Sequence, residues 1–286
     1  MANPALNSKT WAPEQAYTQD DLAAGYAAPT GTVAQGATPP APPAGPGRTA
    51  AAGGRGRADA STGVMTIDGT IARTMILLAI LVGAGTFGWL SVDHNATTAK
   101  FPGWLLIAAI AALVVAVVTI RKPQLARWSA PAYAVLEGLV VGAISGVYDA
   151  VYKGIVLEAV LLTLGVFALM LVLFLSGTIR NTPKFQKALL LAMGSILVVY
   201  VGSFIFSIFG STPTFISADS SLLGIGFSIV VVIVAALTFI VDFDQIRVGV
   251  AAGAPKYMEW YGGFGLLITL VWLYLEILRL LARLRN

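Results

Sequence analysis

Four carboxylates in this chain sit where hydrocarbon is expected: Asp242 and Asp244 in VDFDQIR, Glu276 in WLYLEILRLL, and Glu137 in AYAVLEGLVVGAISG. A carboxylate at membrane depth costs several kcal/mol unless it is paired, protonated or wet. Acids in such places point to a path for cations or protons, or to a switch that titrates. Spacing then sorts their roles. Asp242 and Asp244 are two residues apart, about 200° around a helix, so they cannot both face one lumen. Asp242 is the better lumen candidate. Asp244 precedes Arg247 by three residues, and Glu276 precedes Arg279 by three, a spacing that permits structural ion pairs. Glu137 lies about two turns into its predicted helix. Asp242 reaches a similar depth if its own helix continues to Val250, and the two can then form one acidic site.

Other chemistries find little to work with. There is no cysteine, which excludes thiol nucleophiles, thiolate metal sites and disulfides. The one histidine, His94, lies in a polar loop beside Asp93 and Asn95 and offers no metal-ligand set. An intramembrane aspartyl protease would need an acid after the glycines of GGFGLL, and none follows. The last apolar segment has no lysine to carry retinal. No enzyme and no cofactor is expected. A proton-coupled transporter stays open, because buried acids serve relays equally well.

The elements that position these residues follow from composition. Hydrophobic residues make up 57% of the 286 and charged residues 11%, and the mean hydropathy is +0.81. Soluble domains carry about 25% charged residues, so an integral membrane protein in contact with a lipid bilayer is expected. The net charge of +4 is modest and its basic residues cluster in short loops, which suits a topology signal rather than a nucleic-acid surface. Residues 28–54 read APTGTVAQGATPPAPPAGPGRTAAAGG. Such a segment cannot bury enough surface to offset its ordering entropy. The expected division is a disordered Pro/Ala/Gly-rich tail over 1–62 and a membrane domain over 63–286.

A spanning helix needs about 20 mostly apolar residues. Seven segments qualify: 71–90, 103–120, 131–148, 155–176, 187–209, 222–241 and 260–280. The sixth has no breaker until Gly253 and Pro255. Arg121, Lys122 and Arg127 fall between the second and third, and Arg180, Lys184 and Lys187 around the start of the fifth. The alternate loops hold mainly Asp93, Lys100, Asp149, Lys153 and Asp219. The positive-inside bias therefore places the N-terminus in the cytoplasm. Seven crossings put the C-terminus outside, against the basic Arg279, Arg283 and Arg285. Gly138, Gly142 and Gly146 recur every four residues with Ala134 extending the stripe, a pattern that lets helix backbones approach closely. Gly262, Gly263 and Gly265 thin the start of the last helix in the same way.

The segments LEGLVVGAISGVY, GTIRNTPKF, GIGFSIVVVIVAAL, VDFDQIRVGVAAGAP and YGGFGLLITLVWLYLEILRLL resemble the bacterial, actinobacterial-type branch of the Bax inhibitor-1-like family, within the transmembrane Bax inhibitor motif group. The resemblance covers residues 63 to 285, leaving the tail outside. It implies a seven-helix inner-membrane bundle with the C-terminal helix central. It also implies a pH-sensitive calcium leak, with calcium as a transient permeant ion. A relative's role implies a second reading, a non-transporting regulator of a membrane-bound ATP-dependent protease or of a stress response. The family's leak mechanism pairs an aspartate of the sixth helix with one of the seventh. Asp242 matches the first, but the second position falls at Thr269, which is not an acid. The nearest carboxylate is Glu276, seven residues further on, about 10 Å along the axis.

Overall fold

In the computed structural model the chain is described over residues 63–92, 102–208 and 221–285. The expected disordered tail over 1–62 and the His94 loop lie outside these residues. Within them the secondary structure is helical, apart from one isolated bridge between Val64 and Pro255. The helices are α1 (Ile67–Leu90), α2 (Leu105–Arg121), α3 (Ala126–Val151), α4 (Ile155–Leu175), α5 (Pro183–Ile208), α6 (Leu222–Ala251) and α7 (Met258–Arg285). Six of them are long and apolar enough to cross a membrane; α2, at 17 residues, is the short one. At 1.5 Å per residue α2 spans about 26 Å, against a hydrocarbon core of about 30 Å. The chain is thus an α-helical membrane protein.

Local chemistry sets the ends that matter for the site. Thr66 opens α1, its hydroxyl accepting from the Gly69 N–H at 3.0 Å, and Ser221 opens α6 in the same way through Gly224. Each cap satisfies a donor that the first helical turn leaves without a partner. With nothing to interrupt it, α6 runs ten residues past Val241 to Ala251. It ends beside Gly253, whose φ of +64° suits a residue without a side chain. Asp242 therefore lies inside a continuous helix rather than at its end.

The glycine stripe of α3 packs inside the bundle. A methyl group added at Gly142 would strike the carbonyl of Gly85, and one at Gly138 would strike that of Leu81. In return, a methyl at Gly88 would strike the Leu139 carbonyl. Small residues on both helices bring the α1 and α3 backbones into direct contact, so dispersion replaces the hydrophobic drive that lipid cannot supply. Gly263 gives α7 similar access to α1, with its added methyl 3.1 Å from the Thr74 nitrogen.

Helix α7 packs against α1, α3, α4 and α6, and most of its residues are buried. Tyr261, Phe264, Leu267 and Leu273 are among its fully buried side chains. The ring of Phe264 meets Tyr133 of α3 edge-on at 5.0 Å. Further along, the Tyr274 hydroxyl lies 2.6 Å from that of Ser145. Those two contacts run in the same order along both helices, so α3 and α7 are parallel.

Candidate functional site

The site is built on α6 and α7, which lie next to each other as an antiparallel pair joined by a short turn. Asp242 is nine residues before the end of α6 and Thr269 is eleven after the start of α7. Both depths come to about 14–16 Å from the turn. The Thr269 hydroxyl donates to Asp242 Oδ2 at 2.6 Å, and it also reaches the Gly265 carbonyl at 3.3 Å. Asp242 is 0% exposed and Thr269 2%. At this length the contact lies at the short end of O–H···O hydrogen bonds. The structure thus brings the sixth-helix aspartate onto Thr269, the residue at the position of the family's second acid.

Glu137 lies at matching depth, eleven residues into α3. Its hydrogen-bonding neighbour is Tyr133, one turn before it. Both line a cavity of about 450 Å³, together with Met193, Thr238, Thr269 and Trp272. Thr269 belongs to the cavity wall and bonds Asp242, so it stands between the cavity and that carboxylate. Glu137 and Thr269 thus line one cavity, and Asp242 adjoins it through the Thr269 hydroxyl.

The other sequence candidates lie elsewhere. Asp244 faces away from Thr269 and is tied to Arg247 at 2.5 Å and to the Asn181 amide at 2.8 Å. Glu276 is 2% exposed and pairs with Arg279 at 3.1 Å. The Tyr200 hydroxyl of α5 donates to Glu276 at 2.9 Å and lies 2.6 Å from Arg279 Nη1. Glu276 is thus engaged in a cluster of its own, two turns beyond Thr269.

Sequence reasoning missed Glu259. It sits in the first turn of α7, 2% exposed. It accepts from the Thr66 N–H at 3.2 Å and from the Thr66 hydroxyl at 2.9 Å, with Arg73 4.0 Å away. The Met65 N–H donates to the Ala254 carbonyl at 2.7 Å just beside it. Its partner Thr66 is 193 residues distant in the chain, and spacing along one helix carries no trace of it. The one available signal was an acid at a helix N-terminus, where the dipole favours negative charge.

A family model described as Bax inhibitor 1 like matches residues 3–286, nearly the whole chain. The match thus extends through the tail that the resemblance over residues 63 to 285 left outside. No curated protein matches it.

Proposed function

The chain belongs to the Bax inhibitor 1 like family, and from that premise we propose that it provides a slow, pH-responsive leak for calcium or another cation. Asp242 is the gate, Thr269 holds it, and Glu137 contributes from the adjoining cavity. The observation that carries this reading is the fully buried Asp242 carboxylate on a hydroxyl at mid-helix depth. A carboxylate there is expensive, which marks it as a functional group rather than a packing one. Its charge attracts a cation when ionised and is lost when protonated, so one group both recruits the ion and senses pH.

The membrane arrangement that fits this activity has seven crossings, with the N-terminus in the cytoplasm of a cell whose plasma (inner) membrane holds the protein. Three basic residues after α2 and three around the start of α5 support it. At 17 residues α2 meets the lower limit of about 17 for a span. The three C-terminal arginines, which argue the other way, all have partners on other residues of the chain, Arg285 at the surface. Arg279 pairs with Glu276, Arg283 donates to the Gly224 carbonyl, and Arg285 pairs with Glu158 at 2.6 Å. Arginines engaged in this way weigh less as a topology signal.

The test is calcium flux from proteoliposomes at several pH values, with wild type beside Asp242→Asn. Flux that varies with pH in the wild type and is flat in the variant is expected. A pH profile unchanged by Asp242→Asn removes Asp242 from the gate. Wild-type vesicles no leakier than empty ones overturn the leak and favour the regulatory alternative, which co-purification with a membrane protease would then probe.

A further inference from the structure

We propose that the Glu137 cavity binds a lipophilic organic cation, an amine or quaternary ammonium on an apolar body, by pairing its charge with Glu137 against Tyr133 and Trp272. The proposal goes beyond ion passage, because binding here holds whether or not ions cross the membrane.

The cavity lies among α2, α3, α5, α6 and α7, and its wall is mostly carbon. The described residues lining it include one carboxyl group and no lysine or arginine. An ionised carboxylate in an apolar place needs a counter-charge, and the wall supplies none. What the wall does supply is two aromatic side chains, Tyr133 and Trp272, and the thioether of Met193. Aromatic faces attract organic cations, and methionine adapts to irregular apolar bodies.

A dehydrated divalent ion fits this wall less well, since calcium takes about six to eight oxygen ligands. Here the oxygens are those of Glu137, the Tyr133 hydroxyl and two threonine hydroxyls. Both threonines are already committed as donors, Thr238 to the Val234 carbonyl at 3.0 Å and Thr269 to Asp242. An ion in transit needs no such cage, but a resident ligand does. The volume of about 450 Å³ falls within the roughly 300–1,000 Å³ of small-molecule sites. Access runs through the bilayer: Leu113 lines the cavity and is itself 64% exposed on the outer side of α2. An amphiphilic amine dissolved in the membrane meets the opening side-on.

The experiment uses the full chain in nanodiscs and a tritiated 4-phenylbutyl-trimethylammonium probe, with empty nanodiscs subtracted. Its neutral isostere, with carbon replacing the ammonium nitrogen, serves as competitor. Saturable binding that the neutral isostere does not displace is expected. Glu137→Gln weakens it about tenfold or more, the loss of one charge-assisted contact. Glu137→Asp keeps measurable affinity, and Ala109→Phe, which fills the cavity from α2, abolishes binding. Asp242→Asn costs less affinity than Glu137→Gln and leaves saturable binding in place, which separates this site from the gate: flux can fail while binding stands, and the reverse. Equal competition by the neutral isostere would reduce the effect to apolar partition and overturn the proposal. So would a folded Glu137→Gln protein with wild-type affinity.

Discussion

At Asp242 a carboxylate and a threonine hydroxyl meet 2.6 Å apart in a place closed to water. The proton balance of that contact depends on there being one acid, not two. Thr269→Asp would put a second carboxyl within hydrogen-bonding reach. Two carboxyls at that range cannot both ionise cheaply, so their protons leave in two macroscopic steps that belong to the pair. Flux measured against pH in proteoliposomes should then resolve into two transitions where the wild type has one. A single unchanged transition in the variant would mean that position 269 does not address the gate. The residue scale was legible wherever partners share a helix. Asp244 with Arg247 and Glu276 with Arg279 are three residues apart, and that spacing is readable from the chain alone. Tyr200 was not, because it joins Glu276 from 76 residues away and hydroxyls of tyrosine carry no positional signature in an apolar run. Glu259 was missed for the same reason.

Among the helices, the tightest seam is that of α1 with α3, where Gly85 faces Gly138 and Gly142, and Gly88 faces Leu139 and Ala143. Backbone lies against backbone here, so no flexible side-chain end can yield to an added methyl. Gly142→Ala should therefore cost about 1–3 kcal/mol, the range for overpacking a filled site. Gly165→Ala is the control: it stands on the exposed side of α4 with nothing within 4 Å. There alanine should be neutral or stabilising by about 0.5–1 kcal/mol. Unfolding midpoints in mild detergent should fall for the first and hold or rise for the second; equal shifts would mean that the seam tolerates expansion. The four-residue glycine period announced close packing, and α1 as the partner was a matter of tertiary geometry. Helix ends were less legible. The apolar run of α6 stops at Val241 while its helix continues to Ala251, because the polar residues VDFDQIR are good enough helix formers and hold their charges in partners. Hydropathy alone ends a span where its polar functional residues begin.

For the molecule as a whole, the question is how many times it crosses. A cysteine-free chain suits single-cysteine labelling with an impermeant reagent added outside intact cells. With α2 crossing, a cysteine at Gln124 is shielded and one at Lys153 reacts; both positions are exposed on the surface. If α2 stayed on one side, the pattern would invert, since every later helix would reverse its direction. That inversion would overturn seven crossings and leave six. The membrane class and the helical architecture were plain from composition and apolar runs. The count was less so, since α2 is of marginal length. The last helix carries a separate implication, which concerns how the protein is made. Glu259, Thr269, Glu276 and Arg283 are all buried along α7, and each has a partner beyond α7, at the start of α1 or on α5 or α6. Set alone in lipid, such a helix would lose those partners and keep only local ones such as Arg279 for Glu276. The cost is a few kcal/mol for each polar group left facing hydrocarbon. It emerges from the ribosome after the other six, so its polar partners are already in the membrane to receive it. Biogenesis thereby acquires an order: the contact between Asp242 and Thr269 forms only once α7 has slotted into place.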